Sequence, residues 1–256
     1  MNPVDDPLEA VTFSYVAALE NLATALTGRT QRSPDGTLFA MSGAPIASLN
    51  GIVSPLLSPD VSQISSLTSL AGAQRLPWSI RVRGVPDRDV AEVAAAHGLT
   101  RYERQPLMTL SSRSGALREL TTDPLRVRAL AADELVLYAE TVAAGYQVPR
   151  EVFHVLANPS LKLEGFSFYL AELKGVPVGT GMTASTGGQI GIFTISTLPE
   201  YRRRGYARMV TAEIVRRGFS AGADAAYLHA VSGAAESVYA SIGFETQEFM
   251  TVITAP

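Results

Sequence analysis

The sequence reads as an α/β chain (α+β), and three observations carry that reading. The first is the stretch Thr197-Leu198-Pro199-Glu200-Tyr201-Arg202-Arg203-Arg204-Gly205-Tyr206-Ala207. It joins a β-branched and aromatic run, Ile190 to Ser196, to a run from Ala207 with Val210, Ile214, Val215 and Phe219 at helical spacing. The second is a pair of apolar runs, Phe168 to Leu173 and Val176 to Ala184, folded back around Lys174-Gly175. The third is an internal echo. Ile80-Arg81-Val82, a helix, Gly98-Leu99-Thr100 and a strand ending at Met108-Thr109 match Tyr227-Leu228-His229, a helix, Gly243-Phe244-Glu245 and a strand ending at Met250-Thr251.

The remaining elements follow in order. Pro7 to Leu26 places Leu8, Val11, Tyr15, Leu19 and Leu22 along one helical stripe. Asp35-Gly36 marks a turn, and Leu38 to Met41 and Ile46 to Leu49 read as strands around Gly43-Ala44-Pro45. Val61 to Leu70 reads as a helix, Ser79 to Val82 as a strand, Asp87 to Ala96 as a helix and Thr100 to Leu110 as a strand. A polar link follows at Ser111 to Gly115. Leu125 to Ala129 is a strand, and Asp133 to Ala144 and Arg150 to Ala157 are helices, with Asp133 as N-cap. Gly187-Gly188 turns into the strand before the arginines, Ala226 to Val231 is the next strand, and Phe244 to Ile253 closes the sheet.

Composition narrows the class. The 256 residues allow one large or two ordinary domains, and 46% hydrophobic content with a net charge of −3 is that of an ordered globular chain. A mildly acidic balance with one compact basic cluster predicts no nucleic-acid partner. The absence of cysteine excludes disulfides, thiolate metal sites and a cysteine acyl-enzyme, and it fits a cytoplasmic protein. An acidic start, Asp5-Asp6, is not a secretory leader, and no run approaches the ~20 apolar residues of a membrane span. The three histidines, His97, His154 and His229, have no metal-ligand spacing, so no metal is expected. The chain is expected to be a monomer or homodimer.

Strand, basic glycine turn and helix together make a phosphate-holding device. The first N–H groups of a helix lack intrahelical partners and carry the positive end of its dipole. Glycine lets the backbone come close to an anion, and arginine forks match phosphate oxygens.

Two blocks carry a family likeness. Arg202-x-x-Gly205-x-Ala207, followed by Ser232-x-x-Ala235-x-x-x-Tyr239-x-x-x-Gly243-Phe244, resembles the GCN5-related N-acetyltransferase (GNAT) superfamily from roughly Leu125 to Ile253. The resemblance implies a mixed, mostly antiparallel sheet flanked by helices, with acetyl-CoA as cosubstrate. It implies direct acetyl transfer to an amine, with a small molecule the leading acceptor; a protein lysine or N-terminus, or a non-catalytic CoA-binding module, are the alternatives. On the family pattern, the backbone of Ile195, Ser196 and Thr197 would pair with the pantetheine arm. Arg202, Arg203, Arg204, Gly205, Tyr206, Ala207 and Arg208 would cradle the pyrophosphate. Ser232 stands where the family commonly has asparagine. Tyr239 would lie by the sulfur as general acid. The family's strand glutamate has no counterpart, since Gln189 to Thr197 holds no Asp, Glu or His. His229, with an ordinary pKa of ~6.5, is the first substitute base and Glu172 the second. Tyr146 and His154 are acceptor-side candidates. Residues 122–256 then form the acyl-CoA-binding domain. Residues 1–115 form a related, degenerate half, because nothing between Ile52 and Pro77 matches the arginine–glycine loop.

Overall fold

The computed structural model describes residues 6–26, 28–118 and 124–256, and in it all the strands join one sheet. The first half contributes α1 (Glu9–Ala25), β1 (Arg29–Arg32), β2 (Leu38–Met41), β3 (Asn50–Val53), α2 (Val61–Gly72), β4 (Ser79–Arg83), α3 (Arg88–Ala96) and β5 (Arg101–Ser111). The second contributes β6 (Leu125–Ala129), α4 (Leu135–Tyr146), α5 (Ser160–Leu163), β7 (Phe166–Leu173), β8 (Val176–Thr186), β9 (Gln189–Thr197), α6 (Tyr206–Ser220), β10 (Ala225–His229), α7 (Gly233–Ala240) and β11 (Glu245–Thr254).

The strand order is β1-β2-β3-β4-β11-β5-β10-β9-β8-β7-β6. Only β3–β4 and β9–β10 are parallel; the other neighbours are antiparallel. The mixed, mostly antiparallel sheet expected from the resemblance is therefore present. The two closing strands cross over. β11 lies between β4 and β5 of the first half, and β5 lies between β11 and β10 of the second. The run β1-β2-β3-α2-β4-α3-β5 repeats as β7-β8-β9-α6-β10-α7-β11, with the β11–β5 pair at the centre. Even the caps repeat: Asp87 accepts from Val90 N–H at the start of α3, and Ser232 accepts from Ala235 N–H at the start of α7.

Period-two alternation in the strands sends each set of apolar residues to one face. On one face α6 packs Val210, Ile214 and Val215 against Val178, Ile190, Ala226 and Leu228. On that face also, α2 and α3 pack Ile64, Leu67 and Val90 against Ile52, Ile80 and Ile253. The opposite face carries α1, with Tyr15 and Leu19 against Leu38, Leu107, Tyr227 and Val252, and α4, with Tyr138 and Val142 against Phe168 and Met182. Each fully buried Leu, Ile or Val is worth roughly 1.5–3 kcal/mol. α1 therefore binds the halves together, because its side chains touch strands of both.

Four local expectations change. Ile46 to Leu49 is not a strand. The buried Asn50 donates to the carbonyls of Ala44, Ile46 and Pro77 and accepts from Ser42 N–H, which folds the segment into a turn and starts the strand at residue 50. Arg150 to Ala157 forms two 3-10 turns, broken at Phe153, whose ring stacks on Tyr146 at 5.3 Å. Asp133 is not the cap of α4; the Glu134 carboxylate instead accepts from Ala131 N–H at 3.0 Å. Arg29–Arg32 is a strand with all four residues exposed, so no apolar alternation announces it. No described helix is long and apolar enough to cross a membrane.

Candidate active site

Pro199 cannot extend β9, and the chain leaves the sheet through a 3-10 turn, Pro199–Tyr201. Arg203 then takes φ +60° and Gly205 φ +80°. A Cβ at Gly205 would meet nothing closer than the Arg208 side chain at 4.0 Å, so glycine is required there by the left-handed backbone and not by lack of room. Gly205 is the N-cap of α6 and supplies no side chain to cap it. Among the described residues, the N–H groups of residues 203–208 have no acceptor. Six free donors at the positive end of a 15-residue helix make a cradle for an anion.

The arginines divide the work. Arg202 donates from Nη2 to the Gly145 carbonyl at 2.7 Å and from Nε to the Thr197 carbonyl at 3.2 Å. It braces the loop against α4. Arg204 donates to the Glu200 carbonyl and lies over the Tyr201 ring. Arg203 is exposed, and Arg208 keeps a buried Nε without a partner. Arg203 and Arg208 are thus the side chains left for an incoming anion.

Beside this loop the sheet opens. β10 pairs with β9 only from Ala225 to Tyr227, opposite Gln189 to Gly191, and the strands then part. A bulge in β9 lies in the parted stretch, where the register with β8 shifts between Thr180 and Met182 and Thr194 takes φ +48°. The Tyr138 and Thr194 hydroxyls, 2.5 Å apart, and Thr180 Oγ1, donating to the Thr194 carbonyl at 2.9 Å, hold that strained residue in place. The end of α4 presses close, since a Cβ on Gly145 would fall 2.3 Å from Ser196 Oγ. Ile195, Ser196 and Thr197 lie along the parted edge, next to the cradle.

Two phenols from helices on opposite faces of the sheet come near one another. Tyr146, at the end of α4, donates to the Ile195 carbonyl at 3.4 Å. Tyr239 comes from α7; burial raises its pKa, and the nearby Tyr146 phenol raises it further. Ser232 is exposed and caps α7, with its Oγ accepting from Ala235 N–H at 3.2 Å.

The fold sets the surroundings of both candidate bases. His229 lies two residues past the last β10–β9 pair, with its ring 4.5 Å from that of Tyr15 on α1. Burial first, then the Arg81 guanidinium, push its pKa down to about 3, in place of the ordinary value expected from sequence. The ring stays neutral at physiological pH and has little affinity for a proton. Glu172 is buried and bonded to Arg128 Nε at 2.8 Å, so it is held in an ion pair. His154 lines a groove of about 440 Å³ with Val136, Ala139, Glu140, Arg150 and Glu151. Sequence reading did not single out Tyr15 or Arg81, which come from the first half, or Tyr138; only the fold brings them here.

Known proteins share this fold. The acetyltransferase (GNAT) family profile matches residues 132–244. A GCN5-related N-acetyltransferase from Kribbella flavida is similar over 99% of this chain and 97% of its own, at 17% identity and a TM-score of 0.69. A conserved protein of unknown function from Staphylococcus epidermidis is similar over 90% and 94%, at 16% identity and a TM-score of 0.61. A GCN5-related N-acetyltransferase-like protein from Streptococcus suis is similar over 96% and 99%, at 14% identity and a TM-score of 0.58. At such identities these likenesses speak for the fold. No curated protein matches by sequence. Residues 132–244 thus carry an acetyltransferase (GNAT) domain, and the chain is an acyltransferase.

Proposed function

We propose that the chain transfers an acetyl group from acetyl-CoA directly to the amine of a small molecule. The observation that carries this reading is the parting of β9 from β10 beside six unpartnered N–H groups. The pyrophosphate belongs on residues 203–208, with Arg203 and Arg208 adding charge. The pantetheine amides belong along Ile195 to Thr197, where they would extend the sheet by β-augmentation. Residues 122–256 are then the coenzyme domain. Residues 1–115 are a degenerate copy whose α1 covers the acceptor side, which suits a closed pocket more than an open peptide groove.

In the reaction a C–N bond forms, the C–S bond breaks, and one proton passes overall from nitrogen to sulfur. Tyr239 is the group proposed beside the sulfur. A phenol near pKa ~10 gives its proton to a thiolate of pKa ~8.5 only uphill, by about 2 kcal/mol, and the raised pKa of Tyr239 steepens that slope. Tyr239 therefore keeps its proton and acts as a hydrogen-bond donor to the departing sulfur, and the thiolate takes up the proton that the amine loses. His229 is too weak a base to hold the amine's proton and serves as a neutral wall of the acceptor side.

The chain has no cysteine, so any thiol released from acetyl-CoA comes from the coenzyme and can be titrated directly. Incubation with acetyl-CoA and an amine library should yield thiol and acetylated amine in equal amounts. Tyr239→Phe should lower turnover about 100-fold, near the low end for acid–base groups, with coenzyme affinity within about threefold of wild type. Coenzyme binding without thiol release on any amine would leave a non-catalytic CoA-binding module.

A further inference from the structure

We infer that the acceptor amine also carries a carboxylate, and that Arg81 binds it; the inference rests on the acetyltransferase reading above and names the substrate class for that site. Arg81 and Arg83 stand two residues apart on β4 and face the same side of the sheet. Both are buried, at 2% and 3% exposure. Arg83 is fully answered: Asp6 and Glu248 both pair with it, and the Pro55 carbonyl accepts from it. Arg81 has only neutral partners. Its Nη1 donates to Tyr15 Oη at 2.8 Å and to the Ser48 carbonyl at 2.7 Å. Its Nε is buried with no acceptor, and among the described residues no carboxylate pairs with it.

A buried charge without a counter-ion is costly, and proteins seldom leave one so. The second orphan lies alongside. His229 Nε2 is also buried without a partner, and its ring touches the Tyr15 ring that Arg81 is bonded to. His229 keeps part of its surface open and stands in the stretch where β10 has left β9. Arg81, Tyr15 and His229 thus form a polar patch running from the parted strands to a buried cation. A carboxylate there would accept from Arg81 and from a neutral imidazole carrying its hydrogen on Nε2. The amine on the same molecule would be left toward the gap.

Matched amines test this. Glycine, β-alanine and 4-aminobutyrate are compared with their primary amides as acceptors. At least one acid should exceed its amide by tenfold or more in kcat/KM, and Arg81→Gln should remove that preference while coenzyme affinity stays within threefold of wild type. Should Arg81→Gln fail to fold, His229→Gln should weaken the same preference. A readout free of turnover is thermal unfolding of wild type in succinate, succinamide and chloride, without coenzyme. Succinate alone should raise the melting temperature, and Arg81→Gln or His229→Gln should reduce the rise. Equal use of acids and amides, a preference that survives Arg81→Gln, no succinate effect, or an equal effect of chloride would each overturn the inference. A chain that binds no coenzyme yet responds to succinate would instead overturn the acetyltransferase reading and leave the carboxylate site standing.

Discussion

The two parallel strand pairs, β3–β4 and β9–β10, occupy matching places in the repeated topology and end in opposite ways. β3 stays paired with β4 over Gly51 to Val53, and Ser54 N–H extends the ladder to the Arg81 carbonyl at 3.0 Å. β9 leaves β10 after Gly191 and runs on to Thr197 paired with β8 along its other edge. The helices that follow differ in the same sense. α2 is capped by its own Asp60, whose carboxylate accepts from Ser62 N–H at 2.8 Å and from the Ser62 hydroxyl at 2.7 Å. α6 begins at Gly205 with no cap at all. The first half satisfies its helix N-terminus with a carboxylate from its own chain; the second leaves that place uncapped, and there the proposed coenzyme phosphates would sit. The fold supplies a site only where the chain declines to close it.

The comparison breaks most severely if the second half stands alone. β11 pairs only with β4 and β5, and β10 depends on β5 along one edge. Residues 124–256 expressed alone would leave β11 without a partner strand and β10 with a bare edge, an aggregation hazard. The expected outcome is insoluble or unfolded protein, read by soluble yield and circular dichroism. A soluble monomeric fragment with wild-type coenzyme affinity would show that the crossover is dispensable.

A smaller break is Gly205→Val. The left-handed φ of +80° disfavours any Cβ by roughly 1–2 kcal/mol, and a β-branched residue more. Acetyl-CoA affinity should fall about 100-fold, or ~2.7 kcal/mol, in a calorimetric titration. Affinity within threefold of wild type would move the anion site away from this loop.

Much of this was legible from residue pattern, for physical reasons. The Lys174-Gly175 hairpin, α6 and the arginine–glycine turn rest on local rules of period, turn chemistry and helix termini, and all stand where the sequence puts them. The internal echo was visible because the cap and glycine spacing repeat. The crossover of β5 and β11 was not, since strand order is set by long-range pairing that no local spacing encodes. The bulge at Thr194 was hidden too, because threonine in a β-branched run looks like ordinary strand. The Arg202–Arg204 run announces charge for a phosphate but not how each arginine is held: Arg202 and Arg204 donate to backbone carbonyls. His229 carried an ordinary pKa in sequence because its neighbours Tyr15 and Arg81 lie far away in the chain.

The seam between the halves should make itself felt through pH. The folded pKa of His229 is about 3, below the ~6.5 of an unfolded histidine. Its neutral burial therefore contributes stability above pH ~6.5 that is lost as pH falls toward 3, because the unfolded chain takes up the proton first. From pH 7 to pH 5 this one group should reduce the unfolding free energy by about 2 kcal/mol. Denaturant melts of wild type and His229→Gln separate it from the carboxylates: the difference between the two proteins should move by that amount toward the variant as pH falls. A difference constant with pH would mean that His229 titrates normally and that its ring is well hydrated.

The mildest change sharpens the contrast at the other helix. Asp60→Ala removes the only side-chain cap of α2 and should cost about 1 kcal/mol, seen as a lower denaturation midpoint at unchanged slope. Asp60→Gly should cost only a few tenths of a kcal/mol, since glycine is itself a fair N-cap. Neither should create a second coenzyme site. Freeing the first N–H groups of α2 restores donors, but the approach from Ser54 to Asp60 carries no lysine or arginine, and β3 remains paired with β4. Calorimetry on Asp60→Ala should therefore still give one acetyl-CoA per chain. A stoichiometry of two would mean that the Asp60 carboxylate alone keeps the first half closed, and that the paired strands beside it are no barrier.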